Sequence, residues 1–276
     1  MLGRDLTRPF QGVYLNDASA TFAQLCAGLA KRLDPDAFFC GITAARIMGV
    51  PLPRMLEESP KLHVAVPPPK FRPTGRGLAG HTLTVKDTEL RIWNGLRVTS
   101  PERTWCDLGS ALHIPDLIAA GDYLLHWALP MATAESLARA IASRRGRRGV
   151  RRLRVAQPYL HERSESPQES KLRYILLSAG FHGLEVNYAI RTSGGYVYRA
   201  DLAFPLSKVL VEYQSDRHHN SPENFRADMT RVSRLQADGW TIVLVNGDDL
   251  HNPLELIARI VRVTSSKTRE VGVFDL

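Results

Sequence analysis

The order of secondary-structure elements in the second half of the chain is the feature that most restricts its fold. Ser166-Pro167 and Gly180 mark the start and stop of a helix, because Ser and Pro favour helix N-termini and Gly favours the position after the last turn. Short runs rich in β-branched and aromatic residues predict strands in "LEVNYAI", "YVYRADLAF", "KVLVEYQ" and "WTIVLVN", and a second helix precedes the last of them. This half therefore predicts an α/β or α+β fold with an αβββαβ core and a mixed sheet.

The chain of 276 residues is long enough for about two domains. The first half mixes short strands and helices, which predicts a smaller α+β domain over residues 1–130. A segment rich in arginine at 131–160 is expected to form a helical linker, and the second domain is expected at 161–276.

Two features bear on where the chain works. It contains no apolar run of about 18 residues, and its first residues lack an apolar signal core, so we expect no membrane partner and a cytoplasmic location. Cys26, Cys40 and Cys106 are too widely spaced for a zinc motif or a disulfide framework. They are expected to be buried thiols in a reducing compartment.

The positive charge of the chain is unevenly distributed. The formal net charge is +8, and the segment from Arg139 to Arg154 contains eight arginines and no acid. Guanidinium groups match phosphate oxygens, so this segment suggests DNA as a partner. The candidate contacts are Arg144, Arg145, Arg147, Arg148, Arg151 and Arg152. The alternative is a solvated face that keeps the protein soluble.

Two acids occur among apolar residues in the predicted hairpin "ADLAFPLSKVLVEYQS". Because side chains alternate along a strand, Glu212 and Gln214 face the same way near the end of their strand. A turn near Leu206 and Ser207 brings Asp201 roughly opposite Glu212. Two carboxylates at one strand end form an oxygen-rich pocket that suits Mg²⁺ or Mn²⁺, and such an ion can activate water for attack on a phosphate.

The motifs "ESPQE", "DLAFP", "VEYQSDRH" and "DMTRVSRLQADGW" occur in this order between residues 165 and 240. Together with the αβββαβ order, they resemble the very-short-patch-repair (Vsr-like) branch of the PD-(D/E)XK nucleases, whose core is restriction-endonuclease-like. The resemblance extends over about residues 165–263. It implies that Asp201 and Glu212 are metal ligands and that His218 is a general acid or base.

The same resemblance implies roles for three further residues. Gln214 stands where the founding pattern has lysine, and it can orient a water or phosphate only by hydrogen bonds. Glu169 matches the helix acid that positions the metal or a water. Arg231 on the second helix would hold a phosphate or anchor the acids.

Each of these residues also has a structural interpretation. Glu169 is the third residue after Ser166 and could complete a capping box. Asp201 could accept hydrogen bonds from nearby backbone, and Glu212 could pair with Arg231. Gln214 could satisfy a sheet edge, and His218 could belong to an ordinary polar loop.

The first half contains "FQGVYL", "GITAARIMGVPLP", "LHVAVP" and "LRVTSPERTWCDL". Over about residues 10–129 these motifs resemble the AbiEi-type antitoxins of abortive-infection systems. The resemblance implies a cognate toxin or another defence partner.

The sequence thus leads to the hypothesis of a metal-dependent DNA endonuclease or nickase, in DNA repair or in phage defence. A second hypothesis is a nuclease fold with weak or lost activity that serves as a DNA-binding or antitoxin-like regulator. A third is a scaffold for protein partners, in which the basic surface contributes only solubility.

Overall fold

The computed structural model describes residues 7–10, 13–15, 21–214 and 222–271 of the chain. The chain divides into two compact units, Met1–Leu160 and His161–Leu276. Both units combine helices with a mixed sheet, so the fold class is α+β.

The first unit begins with a two-stranded antiparallel ribbon and continues with alternating helices and strands. Its helices are α1 (Phe22–Ala30), α2 (Gly41–Ile47), α3 (Arg54–Glu57), α4 (Pro101–Leu108), α5 (Ile114–Leu125), α6 (Ala134–Ser143) and α7 (Val150–Ala156). Its strands are β1 (Thr7–Phe10), β2 (Val13–Leu15), β3 (Phe38–Phe39), β4 (Leu62–Val66), β5 (Leu78–Thr82), β6 (Leu90–Trp93) and β7 (Leu96–Thr99).

The main sheet of this unit has five strands in the order β5-β4-β3-β7-β6. The central strand β3 is only two residues long. It pairs antiparallel with β4 through Phe38↔Ala65 and Phe39↔Val64, and parallel with β7 through Phe39↔Val98. Both phenylalanines are almost completely buried, so the shortest strand lies in the core.

Helix α4 starts as the sequence predicts, with Ser100 as N-cap accepting a hydrogen bond from the Arg103 backbone and Pro101 in the first turn. The structure differs from the expected organisation in residues 131–160. This segment forms α6, which packs against α4, and α7, which packs against α5, and its Leu137, Ile141 and Leu153 are buried. It belongs to the first unit, which is therefore the larger one.

The second unit has the predicted αβββαβ order, followed by two more helices. Its helices are α8 (Pro167–Ser178), α9 (Pro222–Ala237), α10 (Gly247–His251) and α11 (Pro253–Val271). Its strands are β8 (Glu185–Arg191), β9 (Val197–Phe204), β10 (Val209–Tyr213) and β11 (Thr241–Val245). The strand order is β11-β10-β9-β8, with β10 and β11 parallel and the other pairs antiparallel.

Helices cover both faces of this sheet. On one face, Leu202, Phe204, Val209 and Val211 pack in a cluster with leucines of α8 and with Leu256 and Ile260 of α11. On the other face, Ala203 and Leu210 pack with Leu235 of α9. The sheet therefore has a packed apolar cluster on each face.

The helices in the described part of the chain include none that is both long and apolar enough to cross a bilayer.

Candidate functional site

Asp201 and Glu212 lie next to each other on adjacent strands. A short 3-10 turn at Pro205–Ser207 connects β9 to β10, and Leu202 pairs with Val211. One step further along both antiparallel strands are Asp201 and Glu212. This register is compatible with the predicted convergence of the two acids.

The carboxylate of Asp201 is mostly buried and accepts one hydrogen bond from the Tyr213 backbone N–H to Oδ2, at 2.8 Å. Burial raises the pKa of Asp201 to about 6, and the negative charges of Glu169 and Glu212 add to this effect. The Tyr213 hydrogen bond and the charge of Arg231 oppose the rise of this pKa without cancelling it. Asp201 thus carries a negative charge that its surroundings compensate incompletely.

Glu169 approaches the same site from the first turn of α8. Its backbone N–H donates to Ser166 Oγ at 3.2 Å, and its Oε2 accepts from the Glu165 backbone N–H at 2.9 Å. The Ser166 cap is therefore present, but the Glu169 carboxylate bonds the backbone of Glu165, one residue before the N-cap, so the predicted capping box is only half formed. Glu169 is 7% exposed, and burial raises the pKa of its carboxyl. Its charge also raises the pKa of Asp201, so Glu169 is electrostatically coupled to that carboxylate.

Glu212 is held by a two-point ion pair with Arg231 of α9. Arg231 Nη1 donates to Oε1 at 2.7 Å and Nη2 donates to Oε2 at 2.6 Å. The Arg231 Nε donates to Asp228 Oδ1 at 3.0 Å, so one guanidinium bridges two carboxylates. This arrangement matches the pairing interpretation of Glu212, and it raises the pKa of Arg231. Arg231 is thus an anchor of the acids in this structure.

Gln214 lies directly after β10. Its backbone N–H donates to the Val245 carbonyl at 2.7 Å, which extends the pairing with β11 by one residue. The side chain is half-buried at the same end of the sheet as Glu212. His218, together with its neighbour His219, lies outside the described residues.

Asn187 on β8 is a residue near these acids that the sequence analysis did not single out. It lies on β8 opposite Asp201, since Val186 pairs with Leu202 and Tyr188 pairs with Ala200. Its backbone is in the left-handed region at φ +53°, and its side-chain amide donates to the Arg163 carbonyl. Asn adopts a left-handed backbone more readily than most residues, and this preference is the only sequence signal for the conformation at this position.

A divalent cation fits the donor chemistry of the site, provided that the Glu212 oxygens can bind it alongside Arg231 or in place of Arg231. Magnesium uses one or two protein carboxylates and keeps several waters, and Asp201 and Glu212 provide hard oxygens of that kind. Among the described residues, no three His, Cys, Asp or Glu side chains form a ready-made metal site. Because both Glu212 oxygens accept from Arg231, an ion would have to share them through their remaining lone pairs or displace the guanidinium.

The predicted phosphate-binding arginines divide into two groups. Arg144 Nη2 donates to Asp107 Oδ1 at 3.1 Å, and Asp107 also accepts from Arg103, so Arg144 stabilises the interior of the first unit. The others are exposed. They are Arg145, Arg147, Arg148, Arg151 and Arg152.

No family model matches the chain, and no solved structure matches it. Two proteins of Mycobacterium tuberculosis do match: "Uncharacterized protein Rv2248" of strain H37Rv and "Uncharacterized protein MT2308" of strain CDC 1551. Each is 32% identical to the chain over 258 residues, which is 93% of this chain and 92% of the relative. Since the alignment includes nearly the whole of both proteins, the two-unit organisation is within the matched region. The chain belongs to the family of these two mycobacterial proteins.

Proposed function

We propose that the second unit is a metal-dependent nuclease that hydrolyses phosphodiester bonds of DNA in the cytoplasm. The observation that supports this proposal is the placement of Asp201 and Glu212 at neighbouring positions of β9 and β10 in an αβββαβ core, with the charge of Glu169 close enough to act on Asp201. Burial and like charge raise the pKa of Asp201 to about 6, and a bound cation would relieve that unfavourable charge.

In this proposal, Asp201 and Glu212 hold Mg²⁺ or Mn²⁺. The chemistry that such an ion supplies is activation of water and neutralisation of charge on the phosphate. Arg231 keeps Glu212 in one orientation through its paired hydrogen bonds. Gln214, at the end of β10, would orient the attacking water by hydrogen bonds, because an amide can donate and accept but cannot supply a charge.

The biological setting belongs to the same proposal. The resemblance of the first unit to AbiEi-type antitoxins supports a role in phage defence with a cognate toxin as partner, and the resemblance of the second unit supports DNA repair.

The test is cleavage of supercoiled plasmid by the full chain with Mg²⁺ or Mn²⁺. We expect Asp201→Asn and Glu212→Gln each to lower the rate by about 100-fold or more, because a lost metal ligand removes several kcal/mol of transition-state stabilisation. Glu185→Gln is the matched control, since Glu185 is an exposed carboxylate in the same sheet. It should cleave at the wild-type rate.

A second readout does not depend on turnover. Mg²⁺ should raise the melting temperature of the wild-type protein and of Glu185→Gln, and should leave that of Asp201→Asn unchanged. Cleavage that persists in both site variants, or equal stabilisation of all proteins by Mg²⁺, would contradict the proposal.

A second candidate function has an observation in its favour. The two-point Arg231–Glu212 pair neutralises one of the two ligands, and Gln214 replaces the lysine of the resembled family. Both features suit a DNA-binding regulator that has lost hydrolysis. DNA affinity that falls steeply with salt, in the absence of any metal-dependent cleavage, would favour this second function.

A further inference from the structure

We propose that the first unit contains a discrete binding pocket for linked phosphate groups. A cavity of about 440 Å³ lies between the end of α4 and the turn that connects α6 to α7. Four arginines line it together with two small residues at the end of α4. We call it the arginine pocket, and its lining includes Arg147, Arg148, Arg151, Arg152, Gly109 and Ser110.

The backbone under the arginine pocket is held in place by close packing. Gly149 has φ +86°, and a Cβ added there would lie 2.4 Å from the backbone carbon of Gly109. A Cβ on Gly109 would lie 2.8 Å from the side chain of the buried Leu153. Only glycine allows this approach, so the turn is pressed against the end of α4. The arginines therefore project from a fixed scaffold.

One of the four arginines is also oriented individually. Arg152 Nη1 donates to the Leu112 carbonyl at 3.1 Å, which ties its guanidinium to the loop after α4. A guanidinium with a fixed orientation loses less conformational entropy when it binds an anion, and this favours recognition over loose attraction.

The charged residues that line the arginine pocket are all positive. The lining contains four arginines and no acidic residue. Asp107, near the end of α4, already accepts hydrogen bonds from Arg103 and Arg144. A concave surface of one charge sign concentrates counter-ions, and guanidinium forks match phosphate oxygens.

The size of the pocket indicates what it binds. A volume of about 440 Å³ is within the usual range for small-ligand sites and exceeds the needs of one phosphate. The shared chemistry is therefore two or more linked phosphates, from a nucleic-acid backbone or from a free polyphosphate. This site lies in the first unit and does not depend on the hydrolysis proposed for the second.

The experiment measures binding of inorganic tripolyphosphate to the full chain by calorimetry, in metal-free buffer at low and constant ionic strength. We expect saturable binding by the wild-type protein. The double variant Arg147→Gln/Arg151→Gln should bind about tenfold more weakly or worse, because two charge-assisted contacts are lost. The control is Arg145→Gln/Arg154→Gln, which removes the same charge from exposed positions that do not line the pocket. It should bind within about twofold of wild type.

Equal weakening by both double variants would overturn the proposal, because it would mean that the arginines act as a diffuse charged surface. Absence of saturable binding by the wild-type protein would also overturn it. Circular dichroism of each variant establishes that the exposed substitutions leave the fold intact.

A parallel titration with fluorescent duplex DNA distinguishes the two sources of phosphate. If the lining variant loses DNA affinity and the control keeps it, the pocket binds a nucleic-acid backbone. If DNA affinity is unchanged while tripolyphosphate binding is lost, the pocket takes a free polyphosphate. Because metal is absent, neither result bears on whether the second unit cleaves DNA.

Discussion

At the scale of single residues, Asp201 is the position where the fold holds an unfavourable buried charge. Its carboxylate is mostly buried, has like charge nearby, and has a pKa raised to about 6. The ordinary value is 3.8, so the folded state binds this proton more tightly than the unfolded state does. The contribution of Asp201 to stability is therefore fully unfavourable above pH 6, and it disappears as the pH falls below the ordinary value.

Because the charged carboxylate of Asp201 is unfavourable in the folded state, Asp201→Asn is expected to stabilise the protein at neutral pH. Asparagine is uncharged and its Oδ1 can still accept from the Tyr213 backbone N–H. We expect the free energy of unfolding at pH 7.5 to rise by about 1 to 2 kcal/mol, because partial exposure of the side chain reduces the effect below the roughly 3 kcal/mol of the full pKa shift. Urea unfolding at several pH values checks this, and the difference from wild type should shrink toward zero near pH 4. A variant that is less stable than wild type at pH 7.5 would show that the buried charge is compensated.

The residue pattern predicted part of this site and missed the rest for physical reasons. Strand alternation and the hairpin turn were sufficient to place Asp201 beside Glu212, because both are local geometry. Whether Glu212 faces a cation or Arg231 depends on how α9 lies on the sheet, which neither strand encodes. The sequence analysis therefore left both interpretations open. Asn187 was not singled out because a left-handed backbone has only a weak propensity signal.

At the scale of elements, the turn between α6 and α7 shows how glycine allows two segments to approach. Gly146 and Gly149 both have positive φ, at +77° and +86°. Their surroundings differ: a Cβ on Gly146 would meet nothing within 4 Å, whereas a Cβ on Gly149 would overlap the backbone of Gly109. Substitution of Gly146 therefore measures the free-energy cost of the backbone conformation alone, whereas substitution of Gly149 adds the cost of a steric clash.

We therefore expect Gly146→Ala to lower the free energy of unfolding by about 1 kcal/mol, the cost of a left-handed alanine. Gly149→Ala should lower it by about 3 kcal/mol or more, since the backbone at the end of α4 must also move. Denaturant unfolding of the two variants measures both values. Equal losses would show that the close contact with Gly109 relaxes without cost.

Individual elements followed the local sequence signals closely. The Ser-Pro starts of α4 and α8 and the glycine after α8 lie where the sequence predicts them, because caps depend on neighbouring residues. The role of residues 131–160 was less predictable. Their arginines suggested a linker, but Leu137, Ile141 and Leu153 are buried, and α6 and α7 pack against α4 and α5. Whether the apolar residues of α6 and α7 are buried depends on tertiary packing, which composition does not reveal.

At the scale of the whole molecule, the chain consists of two compact units with separate cores. Units with their own cores can unfold as separate cooperative transitions. We expect scanning calorimetry to resolve two transitions. Asp201→Asn should raise the temperature of one of them, and Gly149→Ala should lower the temperature of the other. A single transition that shifts with both variants would show that the two units unfold together.

The short length of β3 affects how the five-stranded sheet of the first unit would unfold. Strands β6 and β7 form a local hairpin, and β4 and β5 form a second paired segment. The dipeptide Phe38–Phe39 is what joins these two pieces into one sheet, and it reaches β7 through one residue pair. If β3 lost its pairing, β6 would remain paired with β7 and β4 with β5, but the two pairs would no longer form one sheet. The integrity of five strands thus depends on the backbone of two aromatic residues.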